Sequence, residues 1–256
     1  MKIAIIGAGN MGGAIAKGLA KGSIVNASDI TVSNPGSEKR EALKAFDSAI
    51  NVTSDNREAI KGADLIILAV KPWLMKKVMD ELTIRPSQMV ASVAAGISFE
   101  QLSGSIGTEN TLFRLVPNTA ISQLESMTLI ASRNASAEQE QLMLDLFNEM
   151  GCAMLIPEEQ IAATTALTSC GIAYVLKYIQ AAMQAGIEMG IYPKAAQKMV
   201  AQSVKGAATL ILNNDTHPSV EIDKVTTPGG ITIKGINELE HKGFTAAIIS
   251  AMKASK

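Results

Sequence analysis

The stretch Ile3-Ala4-Ile5-Ile6-Gly7-Ala8-Gly9-Asn10-Met11-Gly12-Gly13-Ala14-Ile15-Ala16 decides how this chain folds. Ile3 to Ile6 form a short apolar run with strand character. The run breaks at the glycines, and apolar residues return at helical spacing from Gly13 to Leu19. Strand, glycine turn and helix in that order are the opening of a dinucleotide fold. Each glycine serves a physical need. Gly7 allows the tight turn, Gly9 lets backbone approach a pyrophosphate, and Gly12 lets the helix pack closely on the strand. The helix amino terminus adds unpaired N–H groups and a partial positive charge, so Gly7, Gly9, Asn10, Met11 and Gly12 are cofactor-binding candidates. A signal peptide is the competing reading, because Lys2 precedes apolar and small residues. Four glycines punctuate its would-be core and no unbroken apolar run reaches the usual ~7 residues, which disfavours it.

Working outward, Asp29–Asn34 reads as a second strand closed by the turn pair Asn34-Pro35. Its end is where an acidic residue would grip the adenosine ribose of NAD, and Ser33 and Asn34 stand there instead. With Lys39 and Arg40 beyond, nothing repels a 2′-phosphate, so NADP(H) is favoured and NAD(H) is the alternative. Asp64–Val70 is nearly continuous in aliphatic residues, as a strand buried on both faces must be, and ends in Lys71-Pro72-Trp73. Proline keeps Lys71 extended and suits the first turn of a helix, so Lys71 projects at the strand's carboxyl end, the edge where open α/β sheets bind ligands. A snorkelling lysine is the plainer reading. Met89–Val93 reads as another strand followed by the small residues Ala94, Ala95 and Gly96, with Ser98 as a helix cap. A short strand near Ala49–Val52 with a helix at Asn56–Lys61 after it, and Thr111–Val116, Met127–Ala131 and Cys152–Ile156, complete the strands, and Ala137–Met150 is a helix. Pro157 marks a boundary.

Two domains fit 256 residues: a Rossmann-type doubly wound α/β sheet over 1–157 and an all-helical domain over 158–256. The net charge of −1 suggests neither nucleic acid nor an anionic membrane as a partner. Cys152 and Cys170 are the only cysteines, which fits buried thiols in a reducing cytoplasm. His217 and His241 have no second ligand at metal spacing, so no metal site is expected.

From Glu158 to Gly190 the chain reads as one long helix, or two with a break near Gly171, apolar on most of its circumference. A helix apolar all round must be buried all round, and a domain of this size cannot surround it; a second subunit is the natural cover, giving a homodimer or a higher oligomer. Thr164, Thr165, Lys177, Gln180 and Gln184 interrupt every window of the ~20 residues that a membrane span requires. Near the carboxyl end, Pro228-Gly229-Gly230 makes a tight turn before a helix opening with Ile231-Thr232. Backbone N–H groups and the Thr232 hydroxyl then converge at a helix amino terminus, a ready carboxylate site. A plain Gly-Gly turn with Thr232 as a cap is the structural alternative.

The whole chain resembles the pyrroline-5-carboxylate reductase family. The resemblance rests on Gly7–Gly12, Ala69-Val70-Lys71-Pro72, Ala94-Ala95-Gly96-Ile97-Ser98, Arg114-Leu115-Val116-Pro117-Asn118-Thr119, Thr165-Ala166-Leu167, Ala173-Tyr174, Thr226–Thr232, and Leu239-Glu240 before Gly243-Phe244. It implies hydride transfer from a nicotinamide to the C5 of a cyclic imino acid, giving proline. It puts Thr227, Gly230, Ile231 and Thr232 on the substrate carboxylate, with Thr232 also the candidate donor to the ring nitrogen. Lys71 and Asn118 fall near the nicotinamide side of the cofactor, and Ala69, Val70, Pro72, Ala95 and Gly96 are further cofactor-binding candidates. Lys71 is the second catalytic candidate, and Asn118 a substrate contact or an Asx-type turn residue. Asp215 sits where the family can carry an acid near that nitrogen; a solvated loop aspartate is the plainer reading. An imine bound already protonated needs no strong general acid, which fits the absence of an obvious histidine or carboxylate acid.

One block departs from the family. Where it usually reads Thr-Ala-Leu-Ser-Gly-Ser-Gly-Pro-Ala-Tyr, this chain has Thr165-Ala166-Leu167-Thr168-Ser169-Cys170-Gly171-Ile172-Ala173-Tyr174. Losing the proline is expected to remove a helix irregularity, and Ile172 adds a branched side chain. A related imine acid is therefore an alternative substrate. Two other readings are a β-hydroxyacid dehydrogenase, with Lys177 as its acid/base, and a non-catalytic NADP-binding regulator.

Overall fold

Side chains alternate across a strand, and in the first strand both faces are apolar. The computed structural model, which describes residues 1–256, turns this into two cores on either side of one sheet. β1 (Ile3–Ile6) leads through α1 (Asn10–Lys21) to β2 (Ile30–Ser33), α2 (Ser37–Phe46), β3 (Asn51–Thr53), the short α3 (Asn56–Ala59) and β4 (Leu65–Leu68). Then follow α4 (Pro72–Asp80), β5 (Met89–Ser92), α5 (Phe99–Ile106), β6 (Leu112–Val116), β7 (Ser126–Arg133), α6 (Ala137–Asn148), β8 (Gly151–Leu155) and α7 (Ile161–Thr165). Ile3 and Ile5 face a cluster with Ile15 and Leu19 of α1, Leu43 of α2 and Phe147 of α6. Ala4 and Ile6 face the opposite cluster, with Met75 and Met79 of α4, Phe99 and Leu102 of α5 and Ile161 of α7.

The strands lie in the order β3-β2-β1-β4-β5-β6-β7-β8. All neighbours are parallel except β6 and β7, whose antiparallel pairing runs from Leu112↔Arg133 to Val116↔Leu129. The reversal is made locally. Asn118 caps a 3₁₀ turn at Thr119–Gln123, and Leu124 ends it in the left-handed region at φ 61°. Strand order changes direction between β1 and β4, and in open α/β sheets ligands bind at such a point, outside the strands' carboxyl ends.

The sequence-expected elements are present within a few residues at their ends. Ser98 caps α5 in a reciprocal capping box with Gln101, and Ser136 does the same for α6 with Gln139. By packing, the chain divides later than Pro157, where the sequence places its boundary. The chain divides into compact units Met1–Ser169 and Cys170–Lys256. Chain 158–169 stays with the first unit because Ile161 is buried in its core and Glu158 is gripped there. Arg114 donates to Glu158 Oε1 at 2.7 Å, the Phe99 N–H donates to the same oxygen at 3.0 Å, and Arg133 lies 3.5 Å from Oε2. Arg133 also binds Glu100 at 2.7 Å, and that hydrogen bond leads the causes that lower the Glu100 carboxyl to about 2.

One expectation is corrected, and it concerns helix irregularity. Despite the missing proline, Ala166–Cys170 forms a π-helical turn. Its backbone is drawn outward: the Thr168 carbonyl accepts from Asn118 Nδ2 at 3.2 Å, and the Ser169 hydroxyl donates to the Pro117 carbonyl at 3.2 Å. These bonds take over what proline would have imposed.

The second unit holds α8 (Gly171–Glu188), α9 (Pro193–Asn214), α10 (Pro218–Val225), α11 (Ile231–His241) and α12 (Phe244–Ala254). Prolines at the first turns of α9 and α10 start both helices at little cost. α8 and α9 pack where Gly186 meets Ala196, and the Tyr174 hydroxyl of α8 donates to the Ala251 carbonyl of α12 at 3.3 Å. Within this unit only Gly171, Gly186 and Ala196 are buried. Val175, Leu176, Leu212 and Ile249 stand exposed, so five helices share almost no core of their own. No helix is long and apolar enough to cross a membrane.

Arg114→Ala should remove the main hold on a half-buried Glu158. A loss of ~2 kcal/mol, a fall of about 4–8 °C in the melting midpoint of the first unit, is the expected result by scanning calorimetry. An unchanged midpoint would mean that Ile161 alone anchors the segment.

Candidate active site

The glycine turn is fixed by crowding against β4. Gly7 has φ +106°, and a Cβ there would lie 2.6 Å from the Ala69 carbonyl oxygen and 3.2 Å from Val70 Cγ1. At Gly12 a Cβ would run into the Gly7 carbonyl oxygen and reach the Ala69 side chain at 2.9 Å. Gly9 differs. It is the extended residue before α1, and a Cβ there would meet nothing within 4 Å. Its openness is on the outer side, where the first N–H groups of α1 from Asn10 onward have no partner within the helix. No acidic side chain lies in that first turn, and a cavity of about 590 Å³ opens beside it, lined among others by Gly9, Asn10, Met11, Lys39 and Thr119. Donors, room against backbone and a neighbouring cation are what a pyrophosphate requires.

Around this turn the strand ends supply the rim. Asn34 follows β2; its Oδ1 accepts from the Ala8 N–H at 3.1 Å and its Nδ2 donates to the Gly36 carbonyl at 3.1 Å. Ser33 is fully buried and faces inward, its hydroxyl donating to Asn56 Oδ1 at 2.6 Å. That bond holds Asn56, first residue of α3, at the same edge. Sequence reasoning missed Asn56; its only signal was the pair Asp55-Asn56 opening a helix directly after a strand. Lys71 precedes α4 with Pro72 in its first turn, and Lys71 Nζ lies 5.9 Å from the ring centre of the exposed Trp73. Ala95 and Gly96, the latter at φ +77°, lie exposed beyond β5. The structure thus brings Gly7, Gly9, Asn10, Met11, Gly12, Asn34, Ala69, Val70, Lys71, Pro72, Ala95 and Gly96 to the carboxyl edge of β1, β2, β4 and β5.

Both ends of the Asn118 amide are engaged within the protein. It is 6% exposed, its Oδ1 accepts from the Ala120 N–H at 3.0 Å, and its Nδ2 is taken by Thr168. Of the two readings of Asn118, ligand contact and turn former, the second is what its contacts describe.

In the second unit, Gly229 adopts φ +72°, and the Gly230 N–H donates to the Thr227 carbonyl at 3.0 Å, closing the turn. A Cβ on Gly230 would meet Thr227 Oγ1 at 2.8 Å. Gly230 precedes α11 and no side chain caps it, so the N–H groups at the start of that helix stand open beside Thr232. Ile231 is 87% exposed. Asp215 ends α9 in the left-handed region at φ 50°. Lys177, the candidate base of the hydroxyacid reading, is exposed and donates to Gln180 Oε1 at 2.9 Å.

A parallel sheet with a glycine turn at its switch point, followed by helices, defines a dinucleotide-binding oxidoreductase class. Residues 2–96 match a family model described as NADP oxidoreductase, coenzyme F420-dependent, and residues 158–256 match pyrroline-5-carboxylate reductase dimerisation. The chain belongs to the pyrroline-5-carboxylate reductase family. It is 36% identical to the pyrroline-5-carboxylate reductase of Escherichia coli over 98% of this chain and 94% of that protein. It is 35% identical to pyrroline-5-carboxylate reductase 1 of Dictyostelium discoideum over 99% of this chain, and spans 48% of that longer protein. Among solved structures it is similar to the Plasmodium falciparum pyrroline carboxylate reductase with NADP bound. There the TM-score is 0.88 at 27% identity, covering 100% of this chain and 95% of the other. The matched dimerisation region starts at residue 158, before the division between compact units, so α7 belongs with the helices by family and with the sheet by packing.

The turn geometry makes a stability contrast testable by chemical denaturation. Gly7→Ala should cost at least ~2 kcal/mol through its positive φ and the Ala69 oxygen, whereas Gly9→Ala should change stability by less than ~1 kcal/mol. Equal losses would mean that crowding by β4 does not set the turn.

Proposed function

We propose that the chain reduces 1-pyrroline-5-carboxylate to L-proline with NADPH, NADH serving less well. The observation that carries this reading is a pair of open helix starts on one family member, the Gly9 turn and the Gly230 turn, each suited to an anion. In it, Gly7, Gly9, Asn10, Met11 and Gly12 hold the pyrophosphate of the cofactor. Asn34, Asn56 and Lys39 face its adenosine half, and Ala69, Val70, Lys71, Pro72, Ala95 and Gly96 its nicotinamide half. The reduced nicotinamide supplies the hydride that the imine carbon accepts.

The protein's share of the work is positional. Thr227, Gly230, Ile231 and Thr232 fix the substrate carboxylate through backbone N–H groups and hydroxyls, which sets the ring's orientation. The Thr232 hydroxyl lies at the ring nitrogen, accepting from its N–H in the iminium and donating to its lone pair once hydride transfer has given the amine. An iminium that arrives protonated needs no acid, so what remains is to hold the reacting carbons in near-attack geometry and to exclude water. Lys71 adds a positive charge at the nicotinamide side. Asn118 acts one step removed, holding the Thr168 carbonyl and with it the π-helical turn. A related imine acid is the second reading, favoured by the altered Ser169–Ile172 stretch.

The second unit completes itself by pairing. Its exposed Val175, Leu176, Leu212 and Ile249 need cover, and a second copy of the chain is the occupant that the matched dimerisation region supports, giving a homodimer. Cys152 is exposed and Cys170 half-buried, so the expectation of buried thiols is corrected; neither is in a disulfide, and the proposed place is the reducing cytoplasm.

The test is NADPH oxidation, followed at the nicotinamide absorbance, with pyrroline-5-carboxylate, its six-membered homologue, and a 3-hydroxy acid in reverse. Fast turnover of the five-membered imine is expected. Preference for the larger ring would select the second reading, and activity on the hydroxy acid would overturn both. Thr232→Ala should cost ~10-fold or more in kcat/KM for the imine with NADPH affinity unchanged. Equal losses in both would remove the carboxylate site from α11. Sedimentation should give a dimer or a multiple of it, and a stable monomer at micromolar concentration would refute the pairing.

A further inference from the structure

We propose that Asn34 is a positioning residue for the phosphate turn, a strut that fixes the Ala8 N–H and couples the end of β2 to the glycine loop. The inference rests on the cofactor reading proposed for this site and gives Asn34 a role other than that of a ligand to the adenosine ribose or its phosphate.

Three bonds define the strut. Asn34 Oδ1 accepts from the Ala8 N–H at 3.1 Å, bridging two loops that are 26 residues apart in sequence. Its Nδ2 donates to the Gly36 carbonyl at 3.1 Å, so both ends of the amide are engaged and the oxygen is turned toward Ala8. The Asn34 backbone N–H donates to the Thr53 carbonyl at 3.1 Å, which ties the residue to the end of β3. On the other side, the Gly7 N–H donates to the Ser33 carbonyl at 2.8 Å. The first two peptide N–H groups of the turn, Gly7 and Ala8, are therefore both held from the β2 end, one by backbone and one by this side chain. Ala8 is 4% exposed, so in the closed turn its N–H is satisfied by this acceptor and not by water. Gly9, the residue whose outer face is open, comes next in the chain. Setting Ala8 sets the direction in which Gly9 and the start of α1 present their donors.

A ribose ligand and a strut make different demands on the side chain. A contact to a 2′-phosphate matters to NADPH and not to NADH, which has no such group. A strut matters to both, because both carry the same pyrophosphate. Asparagine here also leaves position 34 uncharged, whereas aspartate would keep the acceptor and bring a negative charge to the end of β2, where it favours ribose hydroxyls and repels a phosphate.

The experiment compares the full-length protein with Asn34→Ala and Asn34→Asp, reading two quantities. Amide hydrogen exchange at Ala8, measured by NMR without nucleotide, should be about 5–10-fold faster in N34A and close to the parent rate in N34D. Dissociation constants for NADPH and NADH, measured by titration calorimetry, should rise about 5–10-fold together in N34A. In N34D the NADH constant should stay within ~3-fold of the parent while the NADPH constant rises by ~10-fold or more. A loss confined to NADPH in N34A would overturn the strut and make Asn34 a phosphate ligand. Unchanged exchange at Ala8 in N34A would overturn it as well. Failure of the parent protein to bind either nucleotide would defeat the cofactor reading, and Ala8 exchange would still decide whether the strut exists.

Discussion

The contact on which the first unit depends is the one between the glycine turn and the end of β4. Parallel neighbours β1 and β4 bring Ile6 opposite Leu68, so the two chains leave the sheet side by side. Gly7 then has no room for a side chain because of the Ala69 carbonyl, and Gly12 has none because of Gly7 itself. Any Cβ at either place would push α1 away from the sheet edge, and with it the row of N–H groups that faces outward. The same crowding puts Val70 against the turn and starts Lys71 and Pro72 from a fixed point. What makes the turn tight therefore also makes the rim of the candidate site, and in the proposed function stability and cofactor binding share these residues.

The second unit follows the opposite logic. The first buries an aliphatic sheet between two helix layers and is closed on itself, with buried Phe99, Phe113 and Phe147 filling its cores. The second places apolar side chains on helices too few to cover one another. Exposing several large aliphatic side chains forfeits ~1.5–3 kcal/mol each relative to burial, more than a unit of this size can lose and still hold its helices together. A second copy of the chain, which the matched dimerisation region supports, would cover this apolar surface, whereas the start of α11, with Ile231 almost wholly exposed, stays open.

Much of this was legible in the chain. The aliphatic run before Lys71 declared a strand buried on both faces, and Ser98 announced a helix start because its demand is local. The glycines were legible for the same reason: φ and the space for a Cβ are properties of a single residue. What stayed hidden were the side chains whose partners come from far along the chain. Nothing near Asn34 reveals that its oxygen serves Ala8, nothing near Ser33 points to Asn56, and the occupied amide of Asn118 depends on Thr168. The π-helical turn was hidden in the same way, since the proline expected to cause it is absent and bonds from Pro117 and Asn118 do the work instead.

That division between local and distant determinants bears on how the cofactor edge is built. An anion site made of helix N–H groups is sequence-tolerant, since any residue but proline supplies the donor, but its aim is only as good as the backbone that precedes the helix. The turn at Gly9 has no side-chain cap, so its aim cannot come from within α1. It comes from neighbours: β4 presses from one side through Ala69 and Val70, and β2 holds from the other through Ser33 and Asn34. The turn at Gly230 is likewise uncapped and is closed by Thr227, a residue of its own loop. A carboxylate site can be aimed by a few residues of local chain, whereas a site for a long dinucleotide has to be aligned over several strand ends at once. On the proposed reading, the larger ligand would accordingly sit on the sheet, where the register of hydrogen-bonded strands supplies that alignment, and the smaller one on a helix start in the unit without a core.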